Sequence, residues 1–311
     1  MTNETRVRQA LWMAAGAAAF LAVLFVVLRF RDERSPAELL ASRAARADLV
    51  GRMQLSLTSA SEAEKSAVLA VTDEESKVFA DRALAARADV ERRRGELAGP
   101  LAKDGTPLER DVLAKFDEAF AEYRRVDDEV LALAVRNTNL KASALAFGPA
   151  ADAVREMGAA LDRLVASHAD SLNGKSVTSL AGRAQIAALR IETLLPPHIA
   201  EERDAKMDEL EAAMAKDDET VRASLADLAK LTAVAGDAEL ATATARYATF
   251  TDLRARIVAL SRENTNVRSL AMSLNQKRKV TAACLDALGA LRDAVLAEPI
   301  QGVTGGPVRP R

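Results

Sequence analysis

Residues 119–147 read AFAEYRRVDDEVLALAVRNTNLKASALAF, and residues 246–274 read RYATFTDLRARIVALSRENTNVRSLAMSL. Laid over each other at an offset of 127, Phe120 answers to Tyr247, Tyr123 to Phe250, Val126 to Leu253, Val130 to Ile257 and Leu133 to Leu260. The triplets Asn137-Thr138-Asn139 and Asn264-Thr265-Asn266 then coincide. An earlier pair, VTDEESKVFADR and HIAEERDAKMDEL, aligns at an offset of 128, with Glu74 against Glu202 and Phe79 against Met207. The chain therefore reads as one unit written twice, over about 48–173 and 176–297.

Both copies have the period of a helix. Phe116, Phe120, Tyr123, Val130, Leu133, Asn137, Leu140, Ala144 and Phe147 fall on one stripe. Phe250, Leu253, Ile257, Leu260, Asn264, Val267, Leu270 and Leu274 form the matching stripe in the second copy. The mean step suits bundle packing.

Turn chemistry places the breaks. Ser35-Pro36 opens a helix with proline at its first position, and Thr72 to Glu75 is a capping box. Pro196-Pro197 is expected to stop a helix, and 98–107, with its Gly-Pro and Thr-Pro steps, to form a loop. Asn173-Gly174 and Ala235-Gly236 mark further ends, and each Asn-Thr-Asn triplet is a candidate turn with an N-cap. Each copy then holds four helices of about 20 to 35 residues. The expected fold is all-α, with two tandem antiparallel four-helix bundles over 36–173 and 176–297. In the alternative, each triplet lies inside a helix of about 60 residues with Asn137 and Asn264 in the seam, and two helical hairpins make one bundle roughly 90 Å long.

Composition agrees with helix. Of 311 residues 49% are apolar and 4% aromatic, with 14 Gly and 9 Pro, too few turn and strand formers for an all-β fold. A formal charge of -2 argues against a nucleic-acid partner. Cys284, the single cysteine, is expected as a small core residue. His168 and His198 have no companions that would suggest a metal site or a catalytic triad, so no cofactor, metal or catalytic residue is assigned and the chain is not read as an enzyme.

The run Ala10 to Leu28, ALWMAAGAAAFLAVLFVVL, carries no charge and is long enough to cross a hydrocarbon core of about 30 Å. A single transmembrane helix over 10–30 is expected, after a tail at 1–9, with Trp12, Phe20, Phe25 and Phe30 as its bilayer anchors. No signal-peptidase pattern follows before the charged RFRDER. Arg29, Arg31, Arg34, Arg43 and Arg46 outnumber Arg6 and Arg8, which by itself would hold the large domain in the cytoplasm. Residues 298–311 read as a disordered tail.

The order of features resembles a known family. An anchor leads into a helix, and a break precedes an acidic stretch. After a Gly/Pro loop comes FDEAFAEYRRVDDEVLALA (116–134), then a short turn and ALAFGPAADAV (144–154). This resembles the four-helix-bundle sensory domain of methyl-accepting chemotaxis receptors, most fully over 5–172 and again over 176–297. The resemblance implies a bundle outside the inner membrane, in the periplasm, that binds small molecules or a binding protein and passes a helix displacement through the bilayer. It also implies side-by-side homodimers. The chain departs from that family after the second copy, where no second membrane helix and no cytoplasmic signalling hairpin follow.

Expected ligand-binding residues are Asn137, Asn139 and Lys141 with Asn264, Asn266 and Arg268, polar groups able to hold an anion. Helix capping or register-setting by the asparagines is the competing reading. Lys277-Arg278-Lys279 is expected as a solvated face, and Arg92-Arg93-Arg94 near a helix C-terminus. The functional expectation is a membrane-anchored, receptor-like sensory or protein-binding module that relays through another membrane or signalling protein. The alternative is a membrane-tethered spacer or scaffold subunit without a small-molecule ligand.

Overall fold

The computed structural model describes residues 12, 13, 16, 20, 21, 23, 25, 35–231 and 233–297. From residue 35 on these are helix and short turns, with no strand among the described residues, as the composition requires. In chain order the elements are α1 (Pro36–Leu69), α2 (Asp73–Asp104), α3 (Pro107–Ala134), α4 over 138–167, α5 (Gly174–Ala200), α6 (Asp204–Lys230), α7 (Ala238–Glu263) and α8 over 265–297. Both α4 and α8 are interrupted by one wide π turn, Ala146–Ala150 in the first and Ser273–Lys277 in the second. The π turns stand 127 residues apart, so the duplication extends to local backbone detail.

Capping chemistry starts several of these helices. Ser35 and Glu38 cap each other reciprocally, the Ser35 hydroxyl accepting from the Glu38 amide at 3.2 Å and the Glu38 carboxylate from the Ser35 amide at 2.9 Å. Thr106 and Glu109 repeat the arrangement at 3.1 and 2.8 Å. Thr72 accepts from the Glu75 amide at 3.1 Å. Asp237 accepts from the Glu239 amide at 2.7 Å, after Gly236 has turned the chain at φ 79°.

Two expected breaks are not breaks. α2 runs through Gly99-Pro100, so the 98–107 loop shrinks to Gly105 and Thr106, and Arg92 to Arg94 lie in mid-helix beside Asp89 and Glu96. α5 runs through Pro196-Pro197 to Ala200. Proline costs a helix a backbone donor and some bending, but its φ is already helical. Only the first turn of a helix escapes that penalty, so α5 carries it in its last turns, where Leu195, His198 and Ile199 are buried, and the chain leaves helical geometry at Glu201, ψ 137°.

The chain divides into two compact units. One takes the described residues up to Leu55, Asp89–Phe116 and those from Leu285 on. Val50, Met53, Leu97, Leu101, Phe116, Leu288 and Leu291 are buried in it, Ser42 donates to Asp104 at 2.9 Å, and Arg46 pairs with Glu109 at 3.5 Å with both side chains buried.

The other unit, Ser56–Ala88 with Asp117–Cys284, contains both triplets. Its largest core joins Ala142, Ala146, Ala150, Met157, Leu161 and Leu164 of α4 to Val177, Ala184, Ile191 and Leu195 of α5, Met214, Val221 and Leu228 of α6, and Tyr247, Phe250 and Ile257 of α7. α4 lies antiparallel to α7, with Arg163 on Glu239 at 2.9 Å and Arg246 on Glu156 at 2.7 Å. A second core joins Ala67 and Val68 of α1, Ala80 and Ala83 of α2, and Val126, Val130, Leu131 and Ala134 of α3, with Met272 and Val280 of α8 against it. The fourth helix of each copy thus packs with the first three of the other. The packing units do not coincide with the sequence repeats 36–173 and 176–297, because the chain does not double back at either triplet.

Of the apolar run at 10–28, Trp12, Met13, Gly16, Phe20, Leu21, Val23 and Phe25 are helical and exposed. Phe30, the rest of the span, the tail at 1–9 and residues 298–311 lie outside the described residues. Among the described residues no helix is long and apolar enough to cross a membrane.

The exchange of fourth helices is testable with fragments. Residues 138–263 hold all four helices of the larger core and should melt cooperatively by circular dichroism, whereas 176–297, a full sequence repeat, should not. In the full chain Leu161→Ala should cost about 2 to 5 kcal/mol in denaturant unfolding, since it opens a cavity where α4 meets the other copy.

Candidate functional site

The triplets meet each other. Asn137 and Asn264 adopt the left-handed conformation, at φ 49°, ψ 40° and φ 53°, ψ 37°, the only non-glycine positive φ values among the described residues. Asparagine tolerates that geometry better than a bulkier residue. One left-handed residue ends a helix, and the next begins another at a new angle. The first amides of the new helix would go unsatisfied, and each copy supplies the other's caps. The Thr138 amide donates to the Thr265 hydroxyl at 3.1 Å and the Thr265 amide to the Thr138 hydroxyl at 3.2 Å. The Asn139 amide donates to Asn266 Oδ1 at 3.2 Å and the Asn266 amide to Asn139 Oδ1 at 3.1 Å.

The remaining amide groups complete the joint. Asn139 Nδ2 donates to Asn264 Oδ1 at 2.8 Å and to the Ile199 carbonyl at 2.7 Å. Asn266 Nδ2 donates to Asn137 Oδ1 at 2.8 Å, and Asn264 Nδ2 to the Glu201 carbonyl at 2.7 Å. Asn137 Nδ2 donates to Ser76 Oγ at 2.9 Å and Asp73 Oδ1 at 3.1 Å. Four of the residues singled out from sequence are therefore brought together, with their amides engaged in the joint. Lys141 sits at its edge, on Asp73 at 2.9 Å and the Arg136 carbonyl at 2.8 Å, while Arg268 is exposed. Lys141 and Asn137 together hold the Asp73 carboxyl below its usual range. Arg136 pairs with Glu263 across the copies.

The expected stripe changes phase at the joint. Upstream, Phe116, Phe120, Tyr123, Val130 and Asn137 are buried as the spacing predicts; downstream Phe147 is 70% exposed and Leu274 55%. The buried face passes to Ala142, Ala146, Ala150, Val154 and Met157 in α4, and at the same offset to Ser269, Ser273, Lys277, Thr281 and Cys284 in α8. One set is apolar and the other polar, so equivalent positions build two different interiors.

Lys277 is consequently not on a solvated face; it is 1% exposed. Its ammonium binds Asp127 and lies 3.3 Å from the centre of the Tyr123 ring, a cation–π contact. Asp127, fully buried, also takes Arg87 at 2.9 Å, and Arg87 continues to Asp128 at 2.6 Å. Glu64, fully buried on α1, completes the group. Neither of its oxygens has a well-formed hydrogen bond, nor has the Tyr123 hydroxyl, although Ser273 stands beside the carboxyl. Burial raises the Glu64 pKa, against smaller lowering effects from Ser273 and Lys277. Burial lowers the Lys277 pKa, against Asp127. The sequence signal for this cluster was the four-residue step Ser269, Ser273, Lys277, Thr281 leading to buried Cys284; the adjacent Arg278 and Lys279 hid it. Cys284 is a core thiol as expected, pushed up to about 12 by burial.

The other interior has an ionic network of its own. His198, fully buried, lies 2.8 Å from Ser261 Oγ and 2.8 Å from Glu211 Oε1. Arg262 binds the same Glu211 oxygen at 2.7 Å, and Arg262 and His198 hold that carboxyl below its usual range against desolvation. His168 bonds Asp237 at 3.1 Å. Among the described residues no group of three or more His, Cys, Asp or Glu side chains is placed to hold a metal ion.

Each network reaches a surface groove. Between α2 and α3 a groove of about 290 Å³ is lined by Lys77, Asp81, Leu84, Asp128, Leu131 and Val135 among others. Between α6 and α7 a groove of about 200 Å³ is lined by Glu211, Met214, Ala215, Arg254, Ala255 and Val258. Leu131 and Val258, and Asp128 and Ala255, are related by the 127-residue offset. A wall residue of each groove, Asp128 or Glu211, is tied to a buried ionisable group, Asp127 through Arg87 or His198 directly.

The joint predicts a graded pair of variants. Asn137→Ala should lower stability by about 2 to 4 kcal/mol, from unpaired buried partners and the left-handed backbone. Asn137→Gly loses the same hydrogen bonds without the backbone strain and should be about 1 kcal/mol less costly in urea unfolding. No family model matches the chain, and no curated protein matches it.

Proposed function

We propose that the chain is a membrane-anchored, receptor-like sensory module of the inner membrane, held on its outer face. It detects a small polar ligand or a partner protein through helix packing and relays the change through a second protein. The apolar run at 10–28 supports the anchor, and the likeness to chemoreceptor sensory bundles supports the outer side and the class of role. The observation that carries the reading is the pair of grooves, partly overlapping in the repeat, each with a wall residue wired to a buried ionisable group. A ligand that draws Asp128 away from Arg87 alters the partners of Asp127, and through Lys277 the seating of α8. A ligand shifts packing only by binding two arrangements with different affinity, and a charged core gives those arrangements different energies.

A second reading, a membrane-tethered spacer, is favoured by the reciprocal joint, which ties α3–α4 to α7–α8 through hydrogen bonds in both directions. The two readings part in one experiment. Melting of the full chain in detergent against a panel of small polar metabolites should reveal one that stabilises it, by about 2.7 kcal/mol at a hundredfold excess over its Kd. Leu84→Trp, which fills the α2/α3 groove from an exposed wall position, should abolish that shift while the unliganded protein stays folded. A spacer would melt alike with every compound and co-purify with a fixed partner.

A further inference from the structure

The cluster around Glu64 has a charge imbalance that the sensing proposal does not use. It draws on every helix of its core. α1 contributes Glu64, with Lys65 exposed on the outside. Arg87 comes from α2; Tyr123 and Asp127 come from α3, which also carries Asp128 on the far side of Arg87. α8 contributes Ser273, Lys277 and Cys284. Lys277 is taken by Asp127, and Arg87 is shared by Asp127 and Asp128. Counting those two cations against those two carboxylates leaves no charge over, so an ionised Glu64 would add one uncompensated negative charge at a fully buried position. An uncompensated buried charge is expensive, and a carboxyl without partners avoids it by keeping its proton.

We propose that the Glu64 carboxyl is a proton-binding site: a proton held there neutralises the cluster, and its release to solvent loosens the seating of α1 against the π turn of α8. Tyr123, Cys284 and Arg87 stay in one state through the acid and neutral range. The Tyr123 hydroxyl is pushed upward by burial and the Cys284 thiol up to about 12, so both keep their protons, and Arg87 keeps its charge. The ligand is the proton and the site is made by the cluster alone, so the inference stands independently of whether the grooves bind a metabolite.

The sign follows from linkage. A carboxyl whose folded pKa lies above its unfolded value of 4.5 binds more protons folded than unfolded between the two values. Its contribution to stability is complete below about pH 4.5 and is lost as pH rises through the folded pKa. Glu64→Gln keeps the shape and removes the titration. The full-length variant and wild type, melted side by side from about pH 4 to 9, should differ by an amount that grows with pH above 4.5 and then levels off. Each pH unit between the two pKa values is a tenfold change in the ratio of their folding constants. Wild type should also show an infrared band of a protonated carboxyl that persists as pH rises above 4.5 and that Glu64→Gln lacks.

A stability difference constant across pH, or the absence of that band, overturns the proposal. If Glu64→Gln does not fold, Lys277→Gln decides. It leaves the carboxyl and removes the nearest cation, so the wild-type titration must move to higher pH, and an unmoved midpoint overturns the proposal. A metabolite that stabilises wild type and Glu64→Gln alike would uphold the sensing reading even where the proton site fails.

Discussion

A left-handed asparagine at the same place in each repeat, capped from the opposite repeat, is the constraint around which the larger unit is arranged. A helix interrupted by one such residue exposes new N-terminal amides that need acceptors. Thr138 and Asn139 find them on Thr265 and Asn266, and the reverse bonds run back at nearly the same lengths. Neither break can be satisfied without the other. The two must therefore come together, and that meeting directs α4 into the company of α5, α6 and α7 and leaves α8 to pack with α1, α2 and α3. Serine in place of the asparagine at 139 or 266 would carry donor and acceptor on one short-armed oxygen, without the two separate atoms by which each asparagine accepts from an amide and donates to a second chain segment.

Duplication supplied two equivalent interiors, and divergence filled them differently. At offset 127 Ala146 and Ala150 correspond to Ser273 and Lys277, Tyr123 to Phe250, and Asp127 to Arg254. Small apolar side chains in α4 let helices approach closely, and on the α4 side that core is stabilised by apolar burial. The α8 side carries charges that must be desolvated. A well-packed apolar replacement of a buried ionic group is often no less stable, so such a group is weak evidence for stability and stronger evidence for specificity or use. Glu64 and the Tyr123 hydroxyl, both buried with poorly met hydrogen bonds, keep the cluster away from the fully satisfied limit. A two-state response is easiest to build in such a place.

The wide turns at Ala146–Ala150 and Ser273–Lys277 belong to the same account. A π turn inserts a residue into the helical ladder and rotates the remainder of the helix. With the left-handed asparagine a few residues upstream, it moves the buried face away from Phe147 and Leu274 and onto Ala150 and Lys277. Pro149 occupies the first π turn, where a missing backbone donor is tolerated in an already disturbed ladder. The equivalent position, Gln276, has no such restriction, yet the turn persists. Its geometry is therefore set by packing rather than by proline.

Much was legible in the residues alone. The all-helical class, the duplication and its offset, the capped starts at Pro36 and Asp73, the upstream stripe through Tyr123 and Phe250, and the burial of Cys284 all rest on local spacing and chemistry, which a one-dimensional string carries. The run through Pro100 and Pro196-Pro197 was not legible, because burial of neighbours such as Leu101, Leu195 and Ile199 offsets the cost of the prolines, and local sequence does not show that packing. Nor was the phase change after Asn137, since a single residue at positive φ rotates everything beyond it and leaves no mark in the apolar period. The exchange of fourth helices and the burial of Lys277 are of a third kind. They depend on which surface each helix meets, and hydrogen bonds between residues 127 apart, in a pairing that no local pattern encodes, decide that.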